Sequence, residues 1–124
     1  MRRTHDFLIQ SRGWALVYMD RNAYVYAKRN TVPDAWLGEH AYRLYHPVTF
    51  PRLRFTAAQA DTLRAELERA VATDPRYTRP LLDSGRFHAV LGDKEKALDL
   101  IDRALHVDSK NPEARALKRS LGRR

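Results

Sequence analysis

A 34-residue echo near the C-terminus constrains this chain more than any other feature. Leu67, Ala70-Val71 and Asp74 return as Ile101, Ala104-Leu105 and Asp108, each 34 positions later. Two segments therefore present the same stripe of small and large apolar side chains at the same phase. An apolar stripe on a helix has to be buried, and copies at a fixed offset bury one another by stacking. A period of this length marks an array of stacked helical hairpins. Such a unit is an element of architecture.

Local signals place the helices. Thr56-Ala57-Ala58-Gln59 has the form of a capping box, with Phe55 ahead of it as the staple residue. The helix it opens is predicted over 57–72, with Ala60, Leu63, Leu67, Ala70 and Val71 inward. Thr78-Arg79-Pro80 opens a second helix reaching Leu91, with Leu81, Leu82, Ala89 and Leu91 apolar. Gly92-Asp93 stops that helix and N-caps a third over 94–107, where Asp99 and Arg103 are predicted to pair at i, i+4. Asn111-Pro112 caps a last helix carrying Ala114, Leu117 and Leu121.

Gly85, Gly92-Asp93, Ala97, Ile101 and Ala104 stand at spacings that resemble the tetratricopeptide repeat. The resemblance implies that Gly85 is the small position of a first helix, with Ala97 and Ala104 the small positions of the second. It implies Ile101 as the large residue between them and Gly92 as the turn. A mid-helix glycine costs about 1 kcal/mol relative to alanine, so Gly85 calls for a close helix approach. Leu81, His88 and Ser109 depart from the family's usual aromatic, tyrosine and proline. Residues 78–111 form one full unit between two halves, because Pro47 and Pro51 break the preceding first helix and the following unit keeps only its first. In this family ligands lie against the first helix, which implies a peptide-binding groove at Arg79, Leu82, Arg86 and Ala89. Two guanidinium forks flanking Leu82 suit an acidic or C-terminal carboxylate peptide. The asparagines with which some members clamp a C-terminal carboxylate are absent.

Composition changes near residue 55. Both tryptophans and five of the six tyrosines precede it, whereas the rest is rich in Ala, Leu, Asp and Arg. The expected division is an aromatic-rich subdomain over 1–54 and the repeat region over 55–124. Trp14 to Met19 reads as a strand, Asp20-Arg21-Asn22 as a turn, and Ala23 to Ala27 as the returning strand. Alternation puts Trp14, Leu16 and Tyr18 on one face and Ala15, Val17 and Met19 on the other. With both faces apolar, another strand or a helix has to cover the hairpin. Residues 4–11 are predicted as a short helix against it, packed through Phe7 and Leu8, with Gln10 as a further candidate. A helix from Val32-Pro33-Asp34 is expected to carry Leu37, Ala41 and Leu44 until Pro47 ends it. Residues 46–55 are expected to be extended. The fold class is therefore α+β, a hairpin with short helices packed on a helical array.

Trp14, Leu16-Val17-Tyr18, Asp20, Ala23, Val25-Tyr26 and Arg29, then Tyr42-Arg43 and Pro47, resemble the soluble C-terminal tail of bacterial polytopic, protein mannosyltransferase-like glycosyltransferases. That resemblance implies an extracytoplasmic location; without it the cytoplasm is expected. No activity transfers, because the family's catalytic carboxylates and spans lie upstream of the tail.

The net charge of +8 raises nucleic acid as a partner, so its distribution matters. Residues 55–114 hold 9 Lys/Arg against 11 Asp/Glu, a balance of −2; the excess lies in residues 1–54 and after residue 114. The competing reading is a nucleic-acid-binding protein using Arg2, Arg3, Arg12, Tyr24 and Tyr26. A solvated basic surface accounts better for a charge split in this way. No apolar run approaches the ~20 residues of a membrane span, and Phe7-Leu8-Ile9 is too short for a targeting core. There is no cysteine, no zinc spacing among the histidines, no phosphate loop and no nucleophile elbow around Asp83-Ser84-Gly85. Glu66/Glu68 and Asp99/Asp102 fall on faces expected to be solvated. The expectation is a non-enzymatic scaffold that binds a protein or peptide, an acidic one by the groove's charge, with no metal and no cofactor.

Overall fold

The computed structural model describes residues 13–122. An antiparallel hairpin, β1 (Trp14–Met19) and β2 (Tyr24–Lys28), leads to a short helix α1 (Asp34–His40). Four longer helices follow: α2 (Ala57–Thr73), α3 (Thr78–Val90), α4 (Lys94–Val107) and α5 (Pro112–Gly122). The helix predicted over 4–11 lies outside the described residues.

Asp20 builds the hairpin turn. Its Oδ1 accepts the N–H groups of Asn22 and Ala23 at 2.8 Å each, and its Oδ2 accepts the Tyr18 hydroxyl at 2.8 Å. The strict alternation expected of β1 does not hold, because the pairing slips at a bulge between Leu16 and Tyr18. An extra residue sends every later side chain to the opposite face. Leu16 and Met19 consequently enter the same core, while Tyr18 points outward.

One face of the hairpin is covered by the core, and the other only at its Ala15 end, since Tyr18 and Val25 stay exposed. Leu16 and Met19 pack with Tyr42, Tyr45, Leu63, Leu67, Ala70 and Phe87, so this core joins residues from both sides of position 55. On the other face Ala15 packs with Leu37 and Ala41. The predicted stripe of Leu37, Ala41 and Leu44 is thus divided: α1 ends at His40, Ala41 is extended (φ −74°, ψ 137°), and Leu44 packs on the first core. The hairpin edge supplies the reason. From Ala41 onward the chain runs along β1, and the Tyr42 N–H donates to the Leu16 carbonyl at 2.7 Å. Beside it, Arg69 Nη2 donates to the Val17 carbonyl at 2.5 Å, with the guanidinium 4.1 Å from the Tyr42 ring centre. The connection after Pro47 is not wholly extended. Phe50–Arg52 makes a single 3₁₀ turn, whose first positions tolerate Pro51 because they need no N–H partner.

The repeat helices follow their local signals closely. Both arms of the Thr56/Gln59 capping box are formed, and the Phe55 ring packs at a tilt against Phe87 with ring centres 5.3 Å apart. Gly92 has φ +84°, a left-handed conformation, and Asp93 then accepts the Lys96 N–H at 3.1 Å. At Gly85 a Cβ would stand 3.0 Å from Ile101 Cγ1, which is why α3 and α4 can approach there. Ala97, Ile101 and Ala104 are all completely buried on that contact. The outcome differs at two places. Leu91 is exposed, and Phe87 supplies the buried bulk instead. Asp99 and Arg103 form no ion pair; Asp102 pairs with Lys118 of α5 at 2.8 Å, across the helix–helix boundary.

Candidate functional site

Two buried carboxylates organise the polar groups of this molecule. Glu66 on α2 was expected in solvent, yet it is 8% exposed and accepts three backbone N–H groups. Its Oε2 takes Arg43 at 2.8 Å, and its Oε1 takes Leu44 at 2.9 Å and Tyr45 at 2.8 Å. These donors lie just past the point where α1 stops, in a stretch with no helical or sheet partners for them. One carboxylate satisfies all three, and it ties the 43–45 backbone to the repeat. A buried amide left unpaired costs roughly 1–3 kcal/mol.

The bound segment presents Tyr45, whose hydroxyl donates to Asp83 Oδ2 on α3 at 2.7 Å. Asp83 is 2% exposed. Burial pushes its carboxyl up to about 6, against the Tyr45 hydrogen bond and the Arg79 charge, which pull it down. The same burial and the Asp83 charge drive the Tyr45 hydroxyl well above the ordinary phenol range, so it stays protonated as a donor. One turn earlier, Arg79 Nε lies 3.4 Å from Asp83 Oδ1 without hydrogen-bond geometry.

From Arg79 the network leaves the core. Its Nη1 and Nη2 donate to Glu113 Oε1 and Oε2 at 3.0 and 2.6 Å, a two-pronged pair reaching α5. Arg86 Nη2 donates to the same Oε2 at 2.6 Å. Hydrogen bonding to Arg79 holds the Glu113 carboxyl below its ordinary range despite partial burial. The exposure of the three side chains is 33%, 42% and 31% for Arg79, Arg86 and Glu113, so this end of the network meets water.

The structure brings Arg79 and Arg86 together on one side of α3, as their seven-residue spacing requires. Leu82 does not line an open groove between them: it is 2% exposed and clusters with Val71, Leu81, Leu100, Ile101, Ala104 and Ala114. The cause is α5, which brings Ala114 into that cluster and Glu113 onto both arginines. Ala89 is half-buried further along the helix. Tyr24 and Tyr26, named for nucleic-acid stacking, turn inward. Their hydroxyls bond to Tyr77 at 3.0 Å and to His46 Nε2 at 2.8 Å, and both rings pack on the first core. His88 is also buried, and that burial lowers its pKa. Arg2, Arg3 and Arg12 lie outside the described residues.

Helices α3 and α4 thus form an antiparallel hairpin closed at Gly85, followed by a helix at the same phase. The family model for the tetratricopeptide repeat matches residues 54–121, more than half of the chain. The chain belongs to the tetratricopeptide repeat family. Neither a curated protein nor a solved structure matches it. Within this tetratricopeptide repeat protein Glu66 and Glu113 are the groups that reading the sequence missed. A signal existed for each. Glu66 shares the buried face of Leu63, Leu67 and Ala70, and Glu113 stands one 34-residue period after Arg79.

Proposed function

We propose that this chain is a non-enzymatic docking module that holds an acidic peptide or protein segment on the Arg79–Arg86 side of α3. Tetratricopeptide repeats are protein–protein interaction elements, which is the general class of the reading. One observation carries the specific version: two guanidinium groups on one helix converge on a single carboxylate at a water-exposed end of a buried network. Both arginines already hold an acid there, and Leu82, buried under α5, supports the helix that carries them without facing the ligand. At this degree of exposure each charge-assisted bond contributes about 0.2–1 kcal/mol.

A fluorescein-labelled peptide of alternating Glu and Ala with a free C-terminal carboxylate, titrated into the chain and followed by anisotropy, tests this. Saturable binding is expected, weakened by added salt and by Arg86→Ala. A peptide with Gln in place of Glu and an amidated end is the comparison. Equal binding of the two peptides removes acid recognition from the site.

The tail-like placement belongs to the same proposal. Its support is the Trp14–Tyr26 pattern, which forms a hairpin on the N-terminal side of the repeat. On that reading the module faces the extracytoplasmic side of a membrane glycosyltransferase-like protein. The surrounding gene sequence decides it, since membrane spans must be encoded upstream.

A further inference from the structure

Glu113 occupies the position that an acidic partner would take, and its surroundings show what holds it there. We propose that Glu113 is a built-in competitor, an intramolecular carboxylate that is exchanged for the partner's carboxylate on docking. This rests on the docking reading above and adds a mechanism to it.

Three observations lead to exchange in preference to a permanent strut. First, Glu113 is not what anchors α5. Asn111 caps that helix by accepting the Ala114 N–H at 3.0 Å, and Ala114, Leu117 and Leu121 hold it on α3 and α4 through the apolar cluster. The Glu113 side chain can therefore rotate away while the helix stays seated. Second, the released carboxylate has a favourable place in water. It sits in the first turn of α5, where the helix dipole stabilises a negative charge without any arginine. Third, the donors exceed what one carboxylate uses. A guanidinium offers five N–H groups, yet among the described residues Arg86 makes a single hydrogen bond, to Glu113 Oε2, an oxygen that Arg79 also claims. A partner's carboxylate can enter beside Arg86 first and complete the exchange at Arg79.

Asp83 sets the direction of the exchange. It lies beneath Arg79 on the buried side, 3.4 Å from Nε, and keeps that guanidinium facing outward whichever carboxylate is bound. The site is then charge-balanced by one outer carboxylate at a time, and two would repel.

The test uses the whole chain, the Glu/Ala peptide and its Gln/amide counterpart. Glu113→Gln keeps the side-chain shape and removes the competing charge. It should bind the acidic peptide about tenfold more tightly, the gain expected when the competent state rises from about one-tenth to nearly all of the population. Adding Arg86→Ala to Glu113→Gln should abolish the gain. Unchanged affinity in Glu113→Gln, with binding still lost in Arg79→Ala/Arg86→Ala, overturns the competitor and leaves the docking site standing. No binding of the acidic peptide to either form overturns both. A measurement on the unsubstituted chain guards against an unfolded variant: the Glu113 carboxyl carbon resonance should move to that of a solvated glutamate as peptide is added. A resonance that stays fixed while peptide binds overturns the exchange.

Discussion

The hydroxyl of Tyr45 donates to the carboxylate of Asp83 across 2.7 Å, joining the proline-broken segment to the middle of the repeat. Neither group meets water, and each is buried because the other is. Asp83 would be costly to bury alone, and Tyr45 would lack an acceptor. The bond is also where the two halves of the chain exchange polarity for packing, since the Tyr45 ring lies in the core with Leu63 and Phe87.

This pair makes stability depend on pH with an unusual sign. Asp83 is raised from its ordinary 3.8 to about 6 in the folded chain. Between those values the folded state keeps a proton that the unfolded state releases, so stability falls as pH rises through the window. Asp83→Asn removes the effect. The stability of the natural chain relative to Asp83→Asn should decline from pH 3.8 to about 6 and then level off, measured by urea denaturation across that range. Glu113, whose carboxyl is held below its ordinary 4.5, acts oppositely: its stabilisation is lost as pH falls through its lowered value. Because both proteins carry it, it largely cancels in the difference. A difference that grows with pH contradicts the burial of Asp83.

Glu66→Gln should destabilise the fold by about 1.5–3 kcal/mol, the range for hydrogen bonds to a charged group. The amide retains one acceptor oxygen for three N–H donors and turns its NH₂ toward them. Urea midpoints of the two proteins measure the loss. An unchanged midpoint means that residues 43–45 have another acceptor.

Gly85→Leu should cost roughly 1–3 kcal/mol through overpacking. The first carbon of any side chain already meets Ile101 at 3.0 Å, and leucine adds three more. Gly85→Ala weighs that contact against a helix preference of about 1 kcal/mol, so it should lie far closer to neutral. Thermal melts of both substitutions separate the two effects. Equal melting temperatures for Gly85→Leu and the natural chain would remove Gly85 from the helix contact.

A fragment of residues 55–124 should melt without cooperativity or self-associate. Removing residues 1–54 uncovers Leu63, Leu67, Ala70 and Phe87, which share their core with Leu16, Met19, Tyr42 and Tyr45. Calorimetry with sedimentation on the fragment checks this. A sharp monomeric transition would make the aromatic part an independent domain.

The four long helices were legible because their determinants are local. A capping box at Thr56, an aspartate after a left-handed Gly92 and an asparagine before Pro112 each act within one turn. Their observed ends differ from expectation by a residue or so. The hairpin was legible in Asp20 and in its β-branched and aromatic residues. Its facing was not, since the bulge at Val17 answers to Arg69 and Tyr42, distant residues that bind the β1 edge. The end of α1 was hidden for the same reason. The arginine pair was legible from helical spacing, while its occupation by Glu113 depends on how α5 seats, which spacing within one helix cannot reveal.

Tyr42 and Tyr45 pack over Leu63, Leu67 and Ala70 on the N-terminal side of the repeat, and they reach that place on a backbone pinned by Glu66. A solenoid closed in this way has a polarity of growth. Duplication of the 34-residue unit cannot insert ahead of α2 without displacing that aromatic plug and the hairpin behind it. Among the described residues, α5 has the phase of a first helix and carries no such plug on its outer side. The evolutionary freedom of this architecture therefore runs toward its C-terminal side alone, and lengthening there would extend the face on which Arg79, Arg86 and Glu113 lie.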